Sequence, residues 1–217
     1  MRIKHLLIGT LVFLVLGAGA IALVPPSVSP QAIQSSVVRT EEVLTRAWQL
    51  PVAATFKPQV TWQSNRSLCG PASVANVFRS FAEPATTESA VLAGTGRCWT
   101  GMCFFGLTLD ELADVARKNT KRKVTVLRDL TDQEFREHMR RSNDSARRYI
   151  INFTRTGIFG AGAGHHSPIG GYLEAEDLVF VLDVNQDFRP WLVERSRLFS
   201  AMDTLDGDKK RGLLLIE

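Results

Sequence analysis

The sequence lacks internal repeats and low-complexity tracts, and it carries little excess charge of either sign. The absence of repeats argues against a repeat architecture. With 45% hydrophobic and 22% charged residues, the composition is that of a globular protein. The net charge of +4 is small, and acidic residues flank the basic clusters, so we predict no nucleic-acid partner. The 217 residues are enough for one domain with a substantial core.

Cysteine is scarce: the chain contains only Cys69, Cys98 and Cys103. An odd number of cysteines in an exported chain leaves one thiol without a partner. Cys98 and Cys103 are close enough in sequence to form a small disulfide loop in an oxidising compartment. In that case Cys69 is the free thiol.

The N-terminus resembles an export signal. Arg2 and Lys4 precede an uncharged, mostly apolar run of 19 residues, 6–24, in which Ala18-Gly19-Ala20 fits a signal-peptidase site. The run is also just long enough to span a bilayer. Residues 1–24 are therefore either a cleaved signal peptide or an uncleaved membrane anchor. Both alternatives predict an exported protein, which is periplasmic or anchored to the inner membrane by residues 6–24.

The rest of the chain divides into a short arm and one domain. Residues 25–50 read as a Pro- and Ser-rich linker followed by one continuous helical pattern, and residues 51–217 as the catalytic domain. Helical patterns lead and strand patterns dominate the second half, which predicts an α+β fold with helices packed on an antiparallel sheet.

Several elements can be placed from local signals. The pairs Thr108/Glu111 and Thr131/Glu134 have the spacing of capping boxes and predict two helix starts. The predicted strands are 124–127, 149–153 and 212–216, together with a hairpin formed by 167–173 and 178–184.

Cys69 lies at the first turn of an amphipathic helix predicted over residues 69–81. The partial positive charge of a helix N-terminus favours the thiolate, which is the form that attacks a carbonyl carbon. The alternative is a buried structural cysteine or one half of a disulfide.

His165 and His166 lie in a glycine-rich stretch, 157–171. This pattern predicts a flexible loop that carries an imidazole to a cleft. Neighbouring strand residues point to opposite faces, so we expect at most one of the two rings to face Cys69. The alternative is a pair of solvent-facing loop histidines.

Asp183 lies inside the apolar run 178–184, where a carboxylate is costly unless it is paired. The predicted hairpin brings it close to His165 across the ladder, where it can orient the imidazole. A strand-end Asp satisfied by backbone donors is the alternative. Gln63, six residues before Cys69, is a candidate oxyanion donor together with the Cys69 backbone N–H, unless it is an ordinary surface residue.

The order Cys, His, Asp is the papain-like order, and the motifs that contain these residues resemble those of phytochelatin synthases. The similarity is greatest to the short bacterial kind, and it extends from about Pro51 to Ile216. The matching segments read QSNRSLCGPA at 63–72, IINFTR at 150–155, GHHSPIGGY at 164–172, LDV at 182–184 and KRG at 210–212.

The resemblance implies a papain-like fold and a glutathione γ-glutamylcysteinyltransferase. Cys69 would cleave the Cys–Gly amide of glutathione through a γ-glutamylcysteinyl thioester and pass the acyl group to water or to a second glutathione. The first histidine of the motif, His165, would be the base. Arg155 and Arg211 would bind a substrate carboxylate, although both could be ordinary surface arginines. Short members of the family mostly hydrolyse, so hydrolysis is the favoured outcome.

The resemblance also bears on metals and partners. It implies no required cofactor and no protein metal site. A heavy-metal ion such as cadmium would act as an activator or as a complex with the glutathione thiolate, in a metal-detoxification role. A homodimer and membrane attachment through the N-terminal segment stay open. The competing functions are a papain-like peptidase for another small peptide and a non-enzymatic, membrane-anchored binding protein.

Overall fold

The computed structural model describes residues 26–56, 59–98, 101–103 and 106–217. Residues 1–24, with both alternatives for the leader, lie outside the described residues. Within the described ranges, no helix has the length and apolar character needed to cross a bilayer.

Several helices in the first two thirds of the chain begin at a side-chain cap or at a proline. In both predicted capping boxes, the threonine oxygen accepts a hydrogen bond from the third helical N–H and the glutamate accepts one in return. These predictions are confirmed. The helices are α1 (Pro30–Ser36), α2 (Glu41–Trp48), α3 (Pro51–Thr55), α4 (Cys69–Ser80), α5 (Glu88–Leu92), α6 (Leu109–Asn119) and α7 (Asp132–Arg141).

The helical pattern predicted over residues 31–50 forms two helices, α1 and α2, with a break between them. The chain leaves the helical conformation at Val37, and Val38 exchanges two backbone hydrogen bonds with Leu192, at 2.8 and 3.0 Å. A tertiary bridge thus overrides the local helical pattern at two β-branched residues, which have a low helix propensity. The arm is attached to the domain by this bridge and by Ala47, which is fully buried in the core.

Six strands form one antiparallel sheet in the order β1-β8-β2-β3-β4-β5. The predicted hairpin is confirmed between β3 and β4, although β4 ends three residues earlier than predicted and a bulge shifts the register between Ile169 and Gly171. The strands are β1 (Val124–Leu127), β2 (Arg148–Thr154), β3 (Gly164–Leu173), β4 (Leu178–Val181), β5 (Trp191–Glu194) and β8 (Gly212–Ile216).

The glycine-rich stretch contains a short loop at 160–163 followed by strand β3, so the predicted loop leading to the two histidines is present. A short helix, α8 (Arg155–Phe159), ends at Gly160 in the left-handed conformation (φ 75°), where glycine is favoured. Strand β3 then begins at Gly164. Gly170 allows β3 to approach β4, because a Cβ there would lie 2.7 Å from a ring carbon of Phe180.

The sequence reading also missed elements after residue 190. Besides β5, these are helix α9 (Arg195–Met202) and a two-stranded ribbon of β6 (Leu205–Asp206) and β7 (Lys209–Lys210). All are short and lack a long apolar period.

Both faces of the sheet are covered by helices. Ile150 and Leu214 pack on one face in a core that includes residues of α4 and α6, whereas Ile151 and Leu213 pack on the other with residues of α7, α8 and α9. This alternation follows from the period of two in a strand. The N-terminus of α4 is consequently held against the start of β3.

Candidate active site

Cys69 is the first residue of α4 and is buried. As the first helical residue, it has a backbone N–H without an intrahelical partner. The preceding turn is fixed by the Asn65 side chain, whose Oδ1 accepts hydrogen bonds from the Ser67 N–H (3.0 Å) and hydroxyl (2.7 Å). The thiol therefore has a defined position at a helix end.

His165 is the second residue of β3 and forms a close pair with Asp183. Its Nε2 donates a hydrogen bond of 2.9 Å to Asp183 Oδ1, and both side chains are almost fully buried. The two residues are thus brought together across the hairpin, as predicted. With Nε2 engaged, Nδ1 is the ring nitrogen left for the thiol.

Asp183 is the most heavily hydrogen-bonded group of the site. Oδ1 also accepts from Arg155 Nη2 and from the Asn185 backbone N–H, each at 2.9 Å, and Oδ2 accepts from Trp191 Nε1 at 3.1 Å. The predicted pairing is thus present together with a second positive partner. A fully buried carboxylate with these donors remains ionised.

His166 also reaches the thiol: its Nδ1 lies 3.8 Å from Cys69 Sγ. We expected at most one of the two rings to face Cys69, and the ring within hydrogen-bonding distance of the sulfur is that of His166. His165 acts on the pKa of the thiol chiefly through its charge.

The electrostatics of the site favour a thiolate and an imidazolium. Burial raises the pKa of Cys69, but the positive charge of the nearby His165, followed by the hydrogen bond and charge of His166, outweighs it and holds the pKa well below its ordinary value. Burial and the Arg155 charge lower the pKa of His165, but Asp183 and Cys69 raise it by more. The net result is a pKa above the ordinary value for histidine. Burial likewise raises the pKa of Asp183, and Arg155 and His165 reverse the shift to well below the usual range.

A cleft of about 180 Å³ opens beside His165. Its walls come from the segment before Cys69, from the loop between α8 and β3, and from the N-terminal arm. The lining includes Val28, Gln63, Arg66, Arg155, His165 and Asn185. The arm is thus part of the wall of the candidate site.

Gln63 and Arg155 line this cleft with unused hydrogen-bonding capacity. Gln63 Nε2 donates to the Asn65 carbonyl at 3.0 Å and keeps a second hydrogen, while its Oε1 is buried without a partner among the described residues. Arg155 stacks on the Phe188 ring with Cζ 3.4 Å from the centroid, and its Nη1 is buried without a partner in the described part of the chain. Neither is an ordinary surface residue.

Arg211 lies behind the site rather than in the lining of the cleft. Its Nη1 donates to Asn152 Oδ1 at 2.7 Å, and its Nη2 lies 3.1 Å from Asp206 Oδ1. Gly164 leaves room for the guanidinium, since a Cβ there would lie 2.4 Å from Arg211 Nη1. Both terminal nitrogens are engaged within the protein.

Comparison with known proteins decides the family. The family model described as phytochelatin synthase matches residues 25–213, which is most of the chain. The chain belongs to the phytochelatin synthase family. The match includes the arm as well as the domain.

Several curated proteins that match are longer than this chain and are named glutathione gamma-glutamylcysteinyltransferase. Number 2 of Arabidopsis thaliana is 25% identical over 217 residues, covering 88% of this chain and 46% of its own length. Number 3 of Lotus japonicus is 34% identical over 51% of this chain and 24% of its own. The Schizosaccharomyces pombe protein is 29% identical over 52% and 28%, respectively. This chain thus spans between about a quarter and about half of their lengths.

Solved structures confirm the papain-like fold. The peptidase domain of Streptococcus ComA, a bifunctional ABC transporter of a quorum-sensing pathway, superimposes with a TM-score of 0.50 and 13% identity, covering 72% of this chain and 95% of that domain. A Bacillus anthracis protein described as a C39-like peptidase gives a TM-score of 0.55 and 13% identity over 75% and 95%. At this identity the likeness concerns the fold alone.

In this member of the phytochelatin synthase family, Cys98 and Cys103 form a disulfide, and Cys69 is the free cysteine. The disulfide loop contacts the turn before the thiol: the Cys103 N–H donates to Ser67 Oγ at 3.0 Å, and Asn65 Nδ2 donates to the Gly101 carbonyl at 3.1 Å. The Cys98–Cys103 disulfide therefore helps to hold the turn that precedes Cys69 in place.

Three contributors to the site escaped the sequence reading. Trp191, Asn185 and Arg155 all donate to Asp183, but Arg155 was assigned to substrate alone and the other two were not singled out. The usable signal was Asp183 itself, since a buried carboxylate requires several donors. No local pattern indicates which residues supply them.

Proposed function

We propose that this chain is a glutathione γ-glutamylcysteinyltransferase that uses water or a second glutathione as the acyl acceptor. The curated relatives bear that name, and the family membership extends over the residues that form the candidate site. The observation that carries the proposal is the buried group of Cys69, His165 and Asp183 at the junction of α4 and β3.

In the proposed acylation, the Cys69 thiolate attacks the carbonyl carbon of the Cys–Gly amide. The carbonyl oxygen becomes an oxyanion, for which the Cys69 backbone N–H and Gln63 Nε2 are the proposed donors. When the C–N bond breaks, His165 transfers its proton to the glycine nitrogen. Glycine leaves, and the γ-glutamylcysteinyl group remains as a thioester on Cys69.

In the proposed deacylation, the acceptor is activated by the same imidazole. His165 takes a proton from water or from the amine of a second glutathione while the acceptor attacks the thioester carbon. The Cys69 thiolate leaves, and the product is γ-glutamylcysteine or a phytochelatin. Asp183 keeps the His165 ring oriented and stabilises its cation in both half-reactions.

Arg155 is the better of the two proposed carboxylate ligands. Its Nη1 is without a partner among the described residues, beside a cleft lined by His165. A guanidinium with one edge fixed by Asp183 and another available suits a carboxylate. Arg211, whose terminal nitrogens are engaged by Asn152 and Asp206, is proposed to support the start of β3 instead.

A heavy metal, if it takes part, is proposed to enter as a thiolate complex of glutathione, that is, as substrate. In the described ranges, no three His, Cys, Asp or Glu side chains are grouped closely enough to hold an ion. Cys98 and Cys103 are joined to each other and so lack thiolates to offer. These donors do not fit a resident metal, and no step is assigned to one.

We further propose that the protein works outside the cytoplasm. The basic start and the apolar run at 6–24 support export, and the disulfide is of the kind retained in oxidising compartments. Fractionation of expressing cells tests this, and a wholly cytoplasmic protein contradicts it.

The experiment that tests the function is mass spectrometry of the protein incubated with glutathione, with and without cadmium. We expect free glycine, γ-glutamylcysteine or its dimeric product, and a γ-glutamylcysteinyl adduct on Cys69. Cys69→Ala should lower glycine release at least about a thousandfold. Cleavage of other small peptides but not glutathione would favour a peptidase. No adduct and no glycine would contradict the proposal.

A further inference from the structure

His166 is the one histidine beside the thiol for which the mechanism above has no role. Its side chain is 3% exposed, and its Nδ1 lies 3.8 Å from Cys69 Sγ. Its other ring nitrogen, Nε2, is buried and has no hydrogen-bond partner in the described part of the chain. A buried polar atom without a partner is costly and rare, and therefore calls for an explanation.

The backbone holds this ring firmly in place. His166 pairs with Asn152 in the ladder between β2 and β3, and its carbonyl accepts a hydrogen bond of 3.0 Å from Ser73 Oγ on α4. Because Ser73 lies one helical turn beyond Cys69, the same hydrogen bond also sets the distance between helix and strand. The proximity of the ring to the thiol is thus a built feature.

The unpartnered atom indicates the direction of the hydrogen bond. A proton on Nε2 would be a buried donor without an acceptor. The favoured tautomer has its proton on Nδ1, which points it at the sulfur. Hydrogen bonds from N–H groups to ionised acceptors are about twice as strong as neutral ones. A donor in this position therefore favours the thiolate over the thiol.

We infer that His166 is a positioning residue that donates a hydrogen bond from Nδ1 to the Cys69 thiolate, separately from the His165–Asp183 pair. The other charged groups near the sulfur are His165 on the same strand and Arg211 at the start of β8. His165 must release its proton during the reaction, whereas His166 keeps its proton. The donor on His166 thereby stabilises the thiolate both when it attacks in acylation and when it leaves in deacylation. This inference rests on Cys69 as the nucleophile.

The test is the pH dependence of Cys69 alkylation by iodoacetamide, which requires no glutathione and is independent of the proposed substrate. His166→Phe removes the donor, so the apparent pKa of the thiol should rise by about one unit, with an alkylation rate about tenfold lower on the acid side. His166→Asn places an amide N–H near the Nδ1 position and should restore most of the shift. His138→Phe, a histidine replacement remote from the thiol, should change nothing.

Steady-state kinetics add a second readout. The acid limb of kcat/KM for glycine release should move with the alkylation pKa in His166→Phe, while the alkaline limb, set by His165, should stay in place. An alkylation profile of His166→Phe that overlays the wild type overturns the inference, as does an Asn variant that behaves like Phe. If Phe does not fold by circular dichroism, the smaller His166→Leu serves as the apolar replacement.

Discussion

The replacement Asp183→Asn tests the carboxylate that accepts more hydrogen bonds than any other group of the site. The carboxylate accepts four hydrogen bonds, three on Oδ1 and one on Oδ2. An amide has only one acceptor oxygen, so at least one donor faces the new NH₂ group and is left unpaired in a buried position. That alone costs about 1–3 kcal/mol. The lost charge has the larger effect, and the cost of breaking the ion pair includes that of the unpaired donor.

Arg155 loses its counter-ion in this variant. The guanidinium is 6% exposed, and Asp183 is its only ion-pair partner among the described residues. Breaking a buried ion pair from one side costs about 3–5 kcal/mol, because the remaining charge stays uncompensated. We therefore expect the free energy of unfolding in urea to fall by about 3–5 kcal/mol at pH 7.

The same replacement should also lower the rate of glycine release. Without the carboxylate the pKa of His165 falls, because Asp183 is among the groups that raise it, and the pKa of Cys69 rises as the imidazolium charge is lost. Glycine release should drop by about 10²–10⁴-fold. Alkylation of Cys69 at neutral pH should slow as well.

The pH dependence has a definite sign. The pKa of Asp183 is lowered in the folded chain, so its contribution to stability is complete above the unfolded value of about 4 and is lost as the pH falls below it. The stability gap between wild type and Asp183→Asn should therefore be full at pH 7 and shrink only below about pH 4. A gap that shrinks between pH 8 and pH 6 would point to another group.

Two further variants make the test specific. Asp177→Asn, which removes a partner of the buried Arg195 away from the thiol, should lower stability but leave Cys69 alkylation unchanged. In Asp183→Asn combined with Arg155→Met, the stability loss should be smaller than the sum of the single losses by about 1–3 kcal/mol. Full stability and full activity in Asp183→Asn alone would refute the reasoning.

Other predictions follow from the same geometry. His165→Ala should reduce glycine release by about 10²–10⁴-fold, far more than removal of His138, and equal effects would contradict its assignment as base. Activity should rise with pH through the lowered pKa of Cys69 and fall only above the raised pKa of His165; a rate already declining near pH 6 would disagree. Arg155→Lys removes Nη1 but keeps the positive charge, so KM for glutathione should rise about tenfold. An unchanged KM would show that Arg155 does not bind the substrate carboxylate. Replacing both Cys98 and Cys103 by Ser should lower the free energy of unfolding by about 2 kcal/mol, measured in urea, and no change would argue against the bond.

Local chemistry made parts of this fold predictable. The capping boxes at Thr108 and Thr131 involve residues only three positions apart. The start of each helix can therefore be predicted from the local sequence alone. The β3–β4 hairpin depends on a short turn and on one apolar run, and its register is enough to predict that His165 and Asp183 lie close together.

Other parts were set by contacts distant in sequence. Val38 breaks the arm helix because Leu192, more than 150 positions later, offers a backbone partner. Arg155 becomes a partner of Asp183 only when folding brings the start of α8 beside the residues that follow β4, and no pattern near residue 155 indicates this. The approach of His166 to Cys69 depends on where α4 meets the start of β3, which is a property of packing.

The disulfide beside the nucleophile has a practical consequence for experiments with the proposed substrate. Glutathione is itself a thiol, and thiolates exchange with disulfides. At millimolar glutathione, each turnover assay also exposes the Cys98–Cys103 bond to a reductant, and that bond supports the turn that leads into α4. Reduction of this intramolecular disulfide consumes two glutathiones and releases one oxidised glutathione. Rates measured at different glutathione concentrations are therefore comparable only when the square of the reduced glutathione concentration, divided by the oxidised glutathione concentration, is held constant.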